Sequence, residues 1–277
     1  MIKFDDLRAR KLVQLARERF DYELSDAELK VLCDSASSGE VPVPDMKAPR
    51  PEIRPELIRW LATDPETASQ IDPKGIRVYG VTLPGKLDLE GSCISVRLDF
   101  RGCTVNGDVN LEQAETRDIL FWQSSVEEGW GFRADTIDLH GLLQLIESRF
   151  SGGINLGGAR IKGDLDCSGA KITMNEGNAL FADGAEVGGD VFLRGGFESS
   201  GTLRLPGAKI KGDLDCSGAK LAVKEGNALF ADGAEVEGTC FSGGDFSLPE
   251  ESACVARRLG ETLNSLAHEL HLLTVRT

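Results

Sequence analysis

From Ile76 onward the chain repeats one eleven-residue arrangement of positions: apolar, any, apolar, any, Gly, small, any, apolar, and three more. Thirteen copies begin at Ile76, Leu87, Leu98, Val109, Leu120, Ile137, Ile154, Leu165, Leu180, Val191, Leu203, Leu214 and Leu229. Alternation over the first three residues puts the first and third side chains on one side of a short strand. The small residue and the apolar residue at positions six and eight do the same on the next strand. Gly at the fifth position of most copies supplies the positive φ that a corner every five or six residues demands. Two units close a coil of about 22 residues with four short sides, stacked on its neighbours at roughly 4.8 Å. The expected fold is an all-β solenoid, a parallel, right-handed, quadrilateral-type β-helix of about seven coils over residues 76–238. Its interior is narrow, which explains the small residue at position six.

A longer repeat lies over the short one. Gly158–Lys171 (GARIKGDLDCSGAK) returns forty-nine residues later as Gly207–Lys220 (GAKIKGDLDCSGAK), and Glu176–Val187 returns at the same offset as Glu225–Val236. The runs Gly-Ala-Lys-Ile and Asp-Leu-Asp-Cys-Ser-Gly-Ala-Lys resemble the pentapeptide-repeat proteins, with a spacing that alternates five and six residues here. That resemblance implies a right-handed quadrilateral β-helix and, for function, mimicry of duplex DNA toward a DNA-binding enzyme. The same runs are similar to uncharacterised bacterial proteins sometimes labelled membrane-associated oxidoreductases. Against a redox role stand the residues themselves: no Gly-x-Gly-x-x-Gly turn opens a helix and no flavin, haem or metal motif is visible. The chain is expected to carry no cofactor and no metal.

Residues 1–75 read differently, as a helical N-terminal cap with a Pro-rich linker. Phe4, Leu7, Leu12, Leu15, Ala16 and Phe20 follow a helical stripe, and Ser25 with Glu28 makes a capping-box pattern ahead of a second helix that Gly39 would stop. Val41–Pro51 is extended by its prolines, and Glu56–Thr63 forms a short third helix. A β-helix ends in unpaired N–H and C=O groups, so a helical cap over the first coil is its expected role. At the other end, residues 239–277 depart from the repeat. Thr239–Phe246 (TCFSGGDF) stands where the repeat calls for a run like Asp190–Phe197 (DVFLRGGF), and the loss of one base would convert one reading into the other. The segment reads as an atypical, out-of-frame tail.

Composition narrows the function. A formal net charge of −14 opposes binding to nucleic acid or to anionic membrane and favours a basic protein partner. Seven cysteines follow no zinc or disulfide spacing and no run reaches the length of a membrane span, so a cytoplasmic protein is expected. Cys167 and Cys216 share an inward position two coils apart and are expected to be core thiols. The three histidines, His140, His268 and His271, offer no Ser-His-Asp or Cys-His arrangement, and no enzyme is expected.

Two features remain as candidate partner-binding sites. Position two of alternate units, read as one vertical column, carries Asp88, Asn110, Asp138, Asp166, Phe192 and Asp215. Beside it position eleven supplies Asp108, Asp164, Asp190 and Asp213, and together they suggest an acidic wall. Aspartates at corners also serve turns by bonding backbone. The second candidate is the stretch from Leu120 to Ile154, where the repeat spacing opens and Phe121, Trp122, Trp130 and Phe132 cluster. An aromatic bulge on a rigid scaffold is a place where contacts are grafted, or else it packs on the helix wall. The expected function is a non-catalytic interaction or scaffold protein that presents an acidic surface to a basic protein, with association of two copies left open. The alternative is a membrane-associated or regulatory component of an oxidoreductase system.

Overall fold

The computed structural model describes residues 6–42, 45, 49–127, 129, 131–174, 177–223, 227–242 and 253–255. Four helices come first: α1 (Leu7–Arg19), α2 (Asp26–Ala36), α3 (Pro55–Thr63) and α4 (Pro65–Ala68). Asp6 caps α1, and α2 carries the full capping box, with Ser25 and Glu28 each receiving the other's backbone N–H. Leu12 and Ala16 of the α1 stripe are buried, whereas Leu7 points away from the core at 80% exposure. The second helix ends at Ala36, ahead of Gly39.

Beyond the helices the chain winds into a parallel β-solenoid of four sheets. Each coil runs over face one (opening with Ile76–Tyr79), face two (Thr82–Leu83), face three (Leu87–Asp88) and face four (whose first strand is Glu115–Thr116). Among the described residues the four faces hold eight, seven, eight and six strands. Every pairing joins one coil to the next in parallel, as in Ile76 to Leu98 on face one and Arg160 to Glu186 on face four. Positions one, three, six and eight of the unit point inward. On face one that buries Leu165 and Cys167 at 2% and 0%, and on face four Ala185 and Val187 at 3% and 4%.

The helices close the open edge of the first coil. Ser35 accepts the Arg77 N–H at 3.1 Å through its hydroxyl, and the buried Arg77 guanidinium donates to the carbonyls of Ser37 and Gly39. On face two, the Ile53 N–H donates to the Thr82 carbonyl and the Thr82 N–H donates to the Pro51 carbonyl, both at 2.9 Å. Arg59 of α3 donates to the Asp88 carbonyl on face three. Three edges that would otherwise template pairing are thereby occupied. The linker is fixed by Glu28, 1% exposed, which accepts from the Ser25 and Arg54 backbone N–H groups and from the Arg54 guanidinium at 3.0 Å.

In its middle coils the solenoid is more regular than the sequence suggests. Face one is entered at Ile119, which pairs with Leu98, so Leu120 faces outward. Face three is entered at Phe132, and Ile137 fills the inward sixth position. The wide spacing expected between Leu120 and Ile154 is therefore a misreading of phase. It arises because the corner glycine is replaced on successive turns by Gln113, Gln123, Thr136 and Glu147, which nonetheless hold φ of 57, 49, 53 and 52°. The corner conformation is kept and only its marker residue is lost. What remains of the bulge is small: Phe132 follows Val126 by six residues, where Val109 follows Val105 by four. Larger insertions follow Ile172 and Leu221 at the same corner, between faces two and three.

Thr136 is the most strained of these corners, because a β-branched side chain in the left-handed region costs more than the usual one to two kcal/mol. Its replacement by Gly should raise stability by about 0.5–1 kcal/mol, the relief exceeding the entropic penalty of Gly. Urea unfolding of T136G beside the wild type measures this, and a lower midpoint would contradict the assignment of the corner.

Two strands carry the sheets past Gly238, where the sequence places the end of the β-helix. Cys240–Phe241 pairs with Leu214–Asp215 on face one, and Ala253–Val255 pairs with Asn227–Phe230 on face three. Cys240, 9% exposed, is small and apolar enough to fill the inward position despite the change of sequence. Residues 243–252 and 256–277 of the tail, with His268 and His271, lie outside the described residues. No helix among those described is long and apolar enough to cross a membrane.

Candidate functional site

The aspartates read as one column stand on three different faces. Asp88 and Asn110 are paired neighbours on face three, Asp138 lies on face four, and Asp166, Phe192 and Asp215 belong to face one. The misphased middle units account for the error, since a shift from position two to position seven moves a residue to another face. Most of these carboxylates are engaged locally. Asp88, Asp166 and Asp215 each accept the backbone N–H two residues on, from Glu90, Ser168 and Ser217 at 3.3, 2.9 and 2.9 Å. Asp215 is also paired with Arg194 at 2.9 Å. Burial of Asp215 works against its charge, but the bonds from Ser217 and Arg194 outweigh it and hold the carboxyl below the usual range.

A true ridge of carboxylates does exist, at the corner between faces four and one. Asp164, Asp190 and Asp213 follow one another on consecutive coils, and Asp118 stands on the same line two coils before Asp164. Their arrangement explains the recurring Gly-Asp dipeptide. Asp164 Oδ1 accepts the Asp190 N–H at 2.9 Å, Asp190 Oδ1 accepts that of Asp213 at 2.7 Å, and Asp213 Oδ1 accepts that of Thr239 at 2.7 Å. Asp118 receives the Leu142 N–H in the same way at 3.1 Å. A Cβ on Gly189 or Gly212 would lie 2.0 or 2.1 Å from the carboxylate of the coil before, so Gly at that point makes room for the stack. The bond is between coils rather than within a turn. Each of the four aspartates stays partly exposed. Sequence reading found Asp164, Asp190 and Asp213 but missed Asp118, whose Gly partner, Gly141, sits out of phase in the misread units.

The aromatic cluster divides. Phe121 and Phe132 are core residues, 1% and 0% exposed, in a run in which Phe100 and Phe121 stack at 4.7 Å, Phe121 meets Phe132 edge-on at 5.7 Å, and Phe132 meets Phe150 at 6.2 Å. They cannot contact a partner. Their placement follows from the corrected phase, which puts both at inward positions. Trp122 alone among the described aromatics of this group is partly exposed, beside a depression of about 230 Å³ that it shares with Leu120 and Ile146. Trp130 lies outside the described residues.

Face four presents the other charged feature. Position seven reads Glu115, Asp138, Arg160, Glu186, Lys209, Glu235 from coil to coil. Position nine, two residues on and thus pointing the same way, adds Arg117, His140, Lys162, Gly188, Lys211 and Glu237. The sequence signal for this second column was available, because any outward seventh residue implies an outward ninth. His140 approaches Glu115 at 3.3 Å and Asp138 at 3.7 Å. A shallow trough of about 520 Å³ runs along the later coils of this face.

The cysteines offer no accessible nucleophile in the core. Burial pushes the Cys103 thiol up to about 11 and the Cys240 thiol up to about 12, and raises Cys167 as well. Cys167 and Cys216 lie inward on strands two apart, at 0% and 4% exposure. No group of three His, Cys, Asp or Glu side chains able to hold a metal occurs among the described residues. No family model matches this chain, and no curated protein or solved structure matches it either.

Proposed function

We propose that the chain is a non-catalytic interaction scaffold that receives a basic protein partner along the ridge of Asp164, Asp190 and Asp213. The observation that supports this reading is the register of the ridge. Three carboxylates are held one rung apart, about 4.8 Å, each oriented by a bond to the next coil. Preorganised like charges on a rigid wall give a directional field. Such fields raise association rates more than they lengthen residence. Mimicry of a phosphate row, which the pentapeptide-repeat resemblance implies, is one form this role would take, and the partner would then be a DNA-binding protein.

The triple variant D164N/D190N/D213N tests the proposal. The amide oxygen of Asn still accepts the backbone N–H, so the melting temperature should stay within a few degrees. Association with a partner captured from native lysate should slow about three- to tenfold at low salt, and the difference should shrink when salt shortens the Debye length below about 8 Å. Unchanged association would leave the ridge with turn and coil chemistry alone. Co-fractionation with membranes or a cofactor spectrum would point instead to a regulatory role in a redox system.

A further inference from the structure

Face four treats its charges unlike the other faces. On the other faces opposite charges on adjacent coils pair in several places, Lys171 with Glu198 at 2.8 Å on face two and Arg133 with Glu112 and Arg204 with Asp183 on face three, whereas the buried neighbours Arg77 and Asp99 on face one bond to other groups. On face four Arg160, Glu186, Lys209 and Glu235 are direct cross-strand neighbours in that order. Yet none of them, nor Lys162, Lys211 or Glu237, makes an ion pair within 4.0 Å among the described residues, and all seven are exposed. Glu186 and Glu235, like Arg160 and Lys209, are copies of each other through the repeat of forty-nine residues.

An even-numbered ladder of alternating sign has a particular symmetry. Read backwards, plus-minus-plus-minus becomes minus-plus-minus-plus, its own complement. We propose that face four is a self-complementary surface on which a second copy of this chain docks antiparallel, about a two-fold axis lying between the rungs of Glu186 and Lys209. Such an axis, parallel to the strands, keeps column seven opposite column seven and reverses the order of coils. Arg160 then faces Glu235 of the second copy, Glu186 faces Lys209, and in column nine Lys162 faces Glu237. Symmetry doubles each contact, giving six opposite-charge pairs, and Lys211 enters the gap that Gly188 leaves open.

Half-rung shifts and a parallel arrangement are repulsive, and a whole-rung shift to between Arg160 and Glu186 keeps attractive pairs but sets Glu115 against Glu235. Moving the axis by half a rung spacing onto Glu186 sets Arg160 against Lys209, Lys162 against Lys211 and Asp138 against Glu235. Moving it onto Lys209 sets Glu186 against Glu235. A parallel dimer sets column seven against column nine, so that Arg160 meets Lys162, Lys209 meets Lys211 and Glu235 meets Glu237. Like charges in contact select against each of these. Two columns about 7 Å apart over the four rungs, each about 4.8 Å, cover less than half of the roughly 800 Å² per partner of a standard interface. The association is accordingly weak, on the order of tens of micromolar.

Sedimentation velocity of the full chain at about 0.15 M salt, where the net charge is screened beyond a Debye length of about 8 Å, tests this. Wild type should show a reversible monomer–dimer equilibrium. Arg160→Glu or Glu235→Arg alone should weaken it at least tenfold by opposing like charges. The double variant R160E/E235R restores each pair with its polarity exchanged and should return the dimer constant to within about threefold of wild type. The pair E186K/K209E gives the same test at the centre, should a variant of the first pair fold poorly. A protein monomeric to millimolar concentration overturns the proposal, as does a dimer indifferent to Arg160→Glu or a double variant that fails to recover.

Discussion

Leu203→Asp should abolish cooperative folding of the solenoid. Leu203 is 1% exposed and stands between Leu180 and Leu229 on adjacent coils of face three. The substitution removes about 2–3 kcal/mol of apolar burial. It also forces a carboxyl into a narrow apolar interior, where it must either be buried as a charge or neutralise at the expense of a shifted pKa, at a cost of several kcal/mol more. In a stacked solenoid the damage spreads to both neighbouring coils, since each coil supplies the hydrogen-bond partners of the next. Arg204→Asp, one residue on, loses the outward pairing with Asp183 and the stacking over Phe181 and Phe230 but puts no charge in the interior, and should fold. Circular dichroism and urea unfolding of the two variants decide the matter. A Leu203→Asp protein with an unchanged midpoint would mean that the assigned face is inverted.

Phe121→Ala should cost about 3–5 kcal/mol, because it removes the member of the aromatic run that touches both Phe100 and Phe132 and leaves a cavity the rigid coils cannot collapse into. Trp122→Ala, next to it and partly exposed, should cost much less. Had Phe121 been a surface contact, truncation would leave stability intact and lower only binding. Denaturant midpoints of the two variants separate these outcomes, and equal midpoints would contradict the core placement of Phe121.

What these variants probe was legible in the sequence to different depths. The eleven-residue period with Gly at the corner determined the parallel four-sided solenoid and its seven or so coils, because alternation and a positive φ are local requirements that each unit carries in its own residues. The helical cap was equally readable from Ser25, Glu28 and the prolines. The phase of the middle coils was not. Gln113, Gln123, Thr136 and Glu147 take the corner conformation that Gly takes elsewhere. They do so because the coils above and below hold them there, a tertiary constraint with no local signature. With the phase went the faces: a one-residue step turns Phe121 inward, since it reverses every side chain, and a unit that starts at Phe132 instead of Ile137 moves Asp138 to another face.

The bonding between coils lay further still from the sequence. The recurring Gly-Asp pair is plain to read, but that Asp164 binds the backbone of Asp190 across a rung, over a glycine that leaves it space, depends on atoms twenty-six residues apart. Likewise the sequence supplies the charges of face four in alternating order, whereas only the stacking of coils sets them in one plane at a common spacing. Order along the chain fixed the unit, and contact between units decided which residues form a surface.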